Sequence, residues 1–128
     1  MRSPRPLLPL RSPAAELCAD ALSTPAQTQC LLSALQVRDR ELDQALAQVV
    51  REAKEVPGPT FQTLWQENLT SFYRTSTDPR QQAEAFRAQR RAVCAFAKSV
   101  GFQGTGYGIA TTRCELALTQ ALLLQLRP

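Results

Sequence analysis

The side chains with the most chemistry to offer in this chain are four cysteines, Cys18, Cys30, Cys94 and Cys114, and there is no histidine beside them. That removes every zinc site that needs imidazole and the usual base for a serine or cysteine nucleophile. The cysteines also lack the CxxC spacing from which an all-thiolate zinc site is normally built. Four well-separated cysteines in a small chain suit two disulfides and an oxidising compartment; the plain alternative is four buried thiols in a cytosolic protein. Three pairings are open. A Cys94–Cys114 bond would staple two helices beside the turn between them.

Two further groups could carry chemistry. Asp39, Glu41 and Asp43 place carboxylates close together, but on a helix they fall with Arg40 on the side away from the apolar stripe. Acid–base catalysis would need a cleft and a partner for them, so a solvated face is expected. Residues 101–108 hold four glycines around Phe102, Gln103, Thr105 and Tyr107. No strand precedes this run and no Lys-Ser/Thr pair follows it, so it resembles a phosphate loop in composition alone. Lys98 and Arg113 stand as basic shoulders on either side of it, with Gly104 and Tyr107 inside it. Neither a cofactor nor a catalytic residue is expected, and the chain reads as a non-enzyme.

The elements that must position these residues follow from spacing. The length of 128 residues suits one domain. A composition rich in Ala, Leu, Gln and Arg favours helix over strand, so the expected fold is all-α: a small bundle of about four to five helices stapled by two disulfides. Residues 1–13 contain four prolines and are expected to be disordered or a degenerate export signal. Residues 14–128 form the helical domain.

A short helix is expected over 14–22. Thr24 as cap and Pro25 at the first position then start a long helix to Glu55, with the stripe Leu31, Leu35, Leu42, Leu46, Val49 and Ala53, interrupted at Arg38. Pro57-Gly58-Pro59 stops it. Thr60 caps a helix to about Arg74 whose Phe61, Trp65, Leu69 and Phe72 are expected in the core. Asp78-Pro79 starts the next, with Ala83, Phe86, Arg90, Val93, Ala97 and Val100 along one stripe and Gly101 as its cap. Thr112 and Glu115 form a capping box for a last helix over 113–126, whose leucines cover more than one face and place it centrally.

Charge is polarised along the chain. Residues 16–55 carry seven acidic against four basic residues, and residues 78–128 carry seven basic against three acidic. A basic helix could follow a phosphate backbone, but the basic residues alternate with core positions and no recognition motif accompanies them. No nucleic-acid partner is expected, and no segment is long and apolar enough to span a membrane.

Taken together, Arg90 and Cys94 before the glycine loop, Cys114 and Leu118-Thr119 after it, and Cys18, Thr24 and Cys30 ahead of the Asp39/Leu42/Asp43 segment resemble the lysozyme-inhibitor LprI N-terminal domain family. Phe86 stands where that family usually has Trp. The resemblance covers about residues 16–126 and implies a small secreted or periplasmic bacterial helical domain that binds a protein, lysozyme for at least some members. Of the three pairings, Cys18–Cys30 with Cys94–Cys114 is expected, because each bond closes a short connection between consecutive helices. The inhibitor reading has the glycine loop entering the lysozyme cleft, with Lys98, Gly104, Tyr107 and Arg113 as the candidate partner-binding residues. The alternative is a non-inhibitory cell-envelope protein that binds a protein or cell-wall partner through a helix face.

Overall fold

A computed structural model describes residues 17–127, so the export-signal reading of residues 1–13 lies outside the described residues. Four α-helices follow one another: α1 (Thr24–Glu55), α2 (Phe61–Glu67), α3 (Pro79–Ala97) and α4 (Tyr107–Gln125). There is no strand among the described residues. The long helices α1, α3 and α4 form the bundle. Asp39 meets Arg90 while Asp43 meets Arg87, so α3 runs antiparallel to α1. Arg90 reaches Glu115 and Thr119, while Cys94 is bonded to Cys114; α4 therefore turns back along α3 and lies parallel to α1.

Local chemistry sets the helix boundaries. Ser23, one residue earlier than expected, caps α1: its hydroxyl accepts from the Ala26 N–H at 3.2 Å, and Pro25 follows in the first turn. Gly58, at φ +110°, turns the chain after α1 in a conformation that side chains rarely adopt. Gln62 Nε2 reaches back to donate to the Ala53 carbonyl at 2.8 Å, which also accepts from the Val56 N–H at the end of α1. The Asp78 carboxylate caps α3 by accepting from the Arg80 N–H.

Three expected elements differ. Over the described part of 14–22 there is a turn, with Cys18 at φ 66° bonded to Cys30, and no helix; a left-handed residue cannot continue a right-handed helix. The segment after Pro59 is α-helical only to Glu67 and continues as a π-helical turn, Asn68–Phe72. The wider turn breaks the 3.6-residue register. Phe61, Trp65 and Leu69 are half-buried, whereas Phe72 is 75% exposed and makes a T-shaped contact with Tyr73, ring centroids 4.8 Å apart; the aromatic stripe is thus a partial cover and not the core. Finally, α4 begins at Tyr107, not Arg113, and absorbs the end of the glycine run. Thr112 is inside it and donates to the Gly108 carbonyl, so the expected capping box does not form.

The core concentrates at one end. Leu31, Leu35, Leu116 and Cys18 pack together, with Ala34 and Ile109 against them. The stripe of α1 buries Leu31, Leu35, Leu42 and Ala53, leaving Leu46 half-buried and Val49 exposed. On α3 the buried positions are Ala83, Arg90 and Cys94, so the stripe is rotated from the expected one: Val93 and Ala97 face outward, and Val100 falls beyond α3 in an exposed 3-10 turn. On α4, Thr112, Leu116 and Thr119 are buried while Leu118 and Leu124 are exposed.

Both disulfides have the expected pairing, with Cα–Cα separations of 5.9 Å for Cys18–Cys30 and 5.7 Å for Cys94–Cys114. All four cysteines are thereby used. The second bond spans 20 residues, for which loop-closure entropy predicts about 3 kcal/mol of stabilisation. Replacing Cys94 and Cys114 together by Ser should lower the unfolding free energy in urea by about that amount. A loss below about 1 kcal/mol would mean that the α3–α4 hairpin holds its geometry without the bond.

Candidate functional site

The loop end of the bundle is built on a buried charge cluster. Arg90, with its side chain only 4% exposed, lies among all three long helices. Its Nη2 donates to Asp39 Oδ2 at 2.9 Å and its Nη1 to Asp39 Oδ1, a two-pronged contact to α1. Its Nε donates to Glu115 Oε1 at 2.9 Å, and Nη1 also reaches Thr119 Oγ1 at 2.8 Å, both on α4. The Thr119 hydroxyl in turn donates to the Glu115 carbonyl. The ring of Phe86, one turn earlier on α3, lies 5.8 Å from the guanidinium carbon.

Burial disfavours the charge on Arg90, but the hydrogen bonds to Asp39 and Glu115 and the negative charges of both outweigh it, so the guanidinium is held above its ordinary range. A planar fork of five donors suits this position, which a lysine could fill with only one ammonium. Asp39 is therefore not on a wet face: its side chain is 21% exposed, whereas Glu41 and Asp43, paired with Arg38 and Arg87, are the solvated carboxylates expected of this segment. The signal was present in the spacing. Asp39 lies four residues after Leu35 and three before Leu42, in the gap of the apolar stripe that had been assigned to Arg38.

Above this cluster, the loop between α3 and α4 is a succession of tight turns. The N–H of Gly101 donates to Lys98, that of Phe102 to Ser99, that of Gly104 to Gly101 and that of Tyr107 to Gly104. Ser99–Gly101 form a 3-10 turn, so α3 ends before the expected glycine cap. Lys98, at the C-terminal cap of α3, and Gly104 are exposed. Tyr107 is half-buried, and its hydroxyl donates to the Ala95 carbonyl at 2.9 Å, pinning the first turn of α4 to α3 beside the disulfide. Arg113 faces the other way along the same end and donates to the Leu17 carbonyl at 3.0 Å, tying α4 to the Cys18 turn. Lys98, Gly104 and Tyr107 thus share one hairpin, while Arg113 joins that hairpin to the N-terminal disulfide.

The opposite half of the bundle carries a groove of about 500 Å³ between α1 and α4, floored by Ala45, Leu123 and Leu124 and rimmed by Arg38, Glu52 and Arg127. A second hollow of about 300 Å³ lies beside Trp65, Leu69 and Leu46. Neither brings together a nucleophile and a base. Among the described residues no group of His, Cys, Asp and Glu side chains could hold a metal ion, and no helix is long and apolar enough to cross a membrane.

A helical bundle stapled twice at one end, with a buried ionic cluster spent on joining its three long helices, defines a small disulfide-bonded helical domain. The family model for the lysozyme inhibitor LprI matches residues 18–126, and the chain belongs to that family. No curated protein and no solved structure matches it.

Replacing Arg90 by Ala would leave two carboxylates facing each other without their cation. Breaking a buried pair in this way should cost about 3–5 kcal/mol, read as a lowered midpoint of thermal or urea unfolding. Arg90→Lys should recover only part of the loss, because an ammonium cannot make the two-pronged contact to Asp39 and reach Glu115 at once. A lysine variant as stable as the parent would show that charge alone, and not the fork, holds the three helices.

Proposed function

We propose that this protein is an extracytoplasmic lysozyme inhibitor that blocks the lysozyme cleft with its glycine-loop end. The observation that carries the reading is the family match over residues 18–126. The two disulfides support an oxidising, extracytoplasmic setting.

Glycoside cleavage by lysozyme uses two carboxyl groups that flank the scissile bond. An inhibitor needs a narrow projection with donors or a cation to sit between them. The loop offers such a projection: it has small residues at its tip, the Lys98 ammonium at its shoulder, and backbone turns that are already hydrogen-bonded, so little ordering is left to do on binding. In this reading Lys98 and the tip around Gly104 make the contact. Tyr107 and Arg113 hold the loop in place from beneath, through the Ala95 and Leu17 carbonyls.

The test is the rate at which lysozyme clears a suspension of cell walls in the presence of the oxidised protein. Lys98→Ala combined with Gly104→Asp should weaken inhibition by about tenfold or more, equivalent to one charge-assisted hydrogen bond. The new side chain is accommodated, since a Cβ at position 104 meets the Gly101 carbonyl oxygen at an ordinary 3.4 Å. Inhibition left unchanged would remove the loop from the contact, and a parent protein inactive against every lysozyme class would remove the function.

A further inference from the structure

The walls of the groove between α1 and α4 continue upward to the point where the described chain begins. There Cys18 is bonded to Cys30 on α1, and the Leu17 carbonyl accepts from Arg113 on α4. At about 100° per residue, Cys30 shares one face of α1 with Arg38, Glu41, Ala45, Gln48 and Glu52, the α1 wall of the groove. Arg113 likewise shares a face of α4 with Gln120, Leu124 and Arg127 on the opposite wall. From Cys18 the chain rises to the start of α1 at Thr24, away from the groove, so the residues before Leu17 leave on the groove side. The groove holds apolar surface in solvent: Leu124 is 57% exposed.

We propose that residues 4–13 of this chain lie in the groove as an extended strap across α1 and α4. Prolines at positions 4, 6, 9 and 13 favour the polyproline II conformation, whose side chains line up every three residues. That period sorts the segment into ridges. Pro4, Leu7, Leu10 and Pro13 form one apolar ridge, and Arg5, Leu8 and Arg11 form the next. The first ridge matches Ala45, Leu123 and Leu124; the arginines of the second match Glu41 and Glu52, both on the α1 wall. Arg38 holds one oxygen of Glu41 at 3.1 Å, which leaves the other for Arg11. Arg127 lies on the opposite wall, away from the arginine ridge.

The lengths agree with this placement. At a rise of about 3.1 Å per residue, Leu10 falls about 25 Å from Cys18, and Ala45 lies about 22 Å along α1 from Cys30. Arg11 and Arg5 fall within about 7 Å of the levels of Glu41 and Glu52, a gap that a long guanidinium side chain spans. Arg11 interrupts the apolar run that an export signal would need; in the strap it has an acid to meet. The inference stands apart from the lysozyme reading, since the groove and the glycine loop share no residue.

Methyl NMR of the full oxidised chain tests this. The expected result is a set of intramolecular nuclear Overhauser effects from the methyl groups of Leu7 and Leu10 to those of Ala45, Leu123 and Leu124. Leu10→Asp should lower the ratio of docked to undocked strap at least tenfold, the effect of losing one buried leucine. The helical circular dichroism should not change, because residue 10 precedes every helix of the bundle. Leu124→Asp, at an exposed position of the groove, should undock the strap from the other wall. A parent chain without these contacts would overturn the proposal. So would contacts that prove intermolecular in a mixture of labelled and unlabelled chains, which would give the groove to a second copy. A chain recovered from its host without residues 1–13 would overturn it too.

Discussion

The arrangement of this protein depends on one buried cation. Two helices, α1 and α4, present polar groups to the third at the same level, and a guanidinium has enough donors in one plane to satisfy them together. Arg90 takes both oxygens of Asp39 from α1 and an oxygen of Glu115 and the hydroxyl of Thr119 from α4. Because a carboxylate without its cation is costly in a low-dielectric interior, the cluster fixes rotation and register of all three helices. An apolar contact of the same area would tolerate sliding by a turn; a forked pair does not.

That fixed register has consequences at the surface. Turning Arg90 and Cys94 inward places Phe96, two residues beyond Cys94, on the opposite side of α3, where it is exposed. It also brings Cys94 beside Cys114, so that the bond forms at the mouth of the glycine loop, and it leaves Tyr107 within reach of the Ala95 carbonyl. The stiffness of the loop end is therefore inherited from the charge cluster one turn below it. The Cys18 turn, bonded to Cys30 and held by Arg113, closes the same end from the α1 side.

The other end is built differently. There α1 stops at Pro57-Gly58-Pro59, and the connection to α3 passes through α2 and a π-helical turn that bury their aromatic residues only in part. Its ties are hydrogen bonds from Gln62 to the end of α1, from Gln82 to Thr75 and Ser76, from Ser76 to Gln81, and from the Thr75 N–H to the Leu69 carbonyl, with no disulfide among them. Stability is thus unevenly distributed, high around the loop and lower around the crossover. Such polarity fits a binding protein that presents a pre-formed end to its partner.

Several features could be read directly from the chain because their causes are local. Proline at the start of α1 and α3, the proline-glycine stop after Glu55, and helix-forming composition determined the helices and most of their ends. An even set of cysteines placed beside helix connections determined the two bonds, and the pattern of arginine, cysteines and glycines determined the family. What needed the tertiary structure was everything that depends on which face turns inward. Asp39 lies in the apolar stripe, but a carboxylate there is expected only once its cation is known to come from a helix 51 residues away in the chain. Likewise Glu115 and Thr112 resemble a capping box by spacing, and only the approach of Arg90 and the start of α4 at Tyr107 reassign them. Spacing reports helical faces modulo their rotation; the choice of rotation is made by long-range charge pairing, and that is why the sequence alone placed Phe96's neighbours inside and the structure places them in solvent.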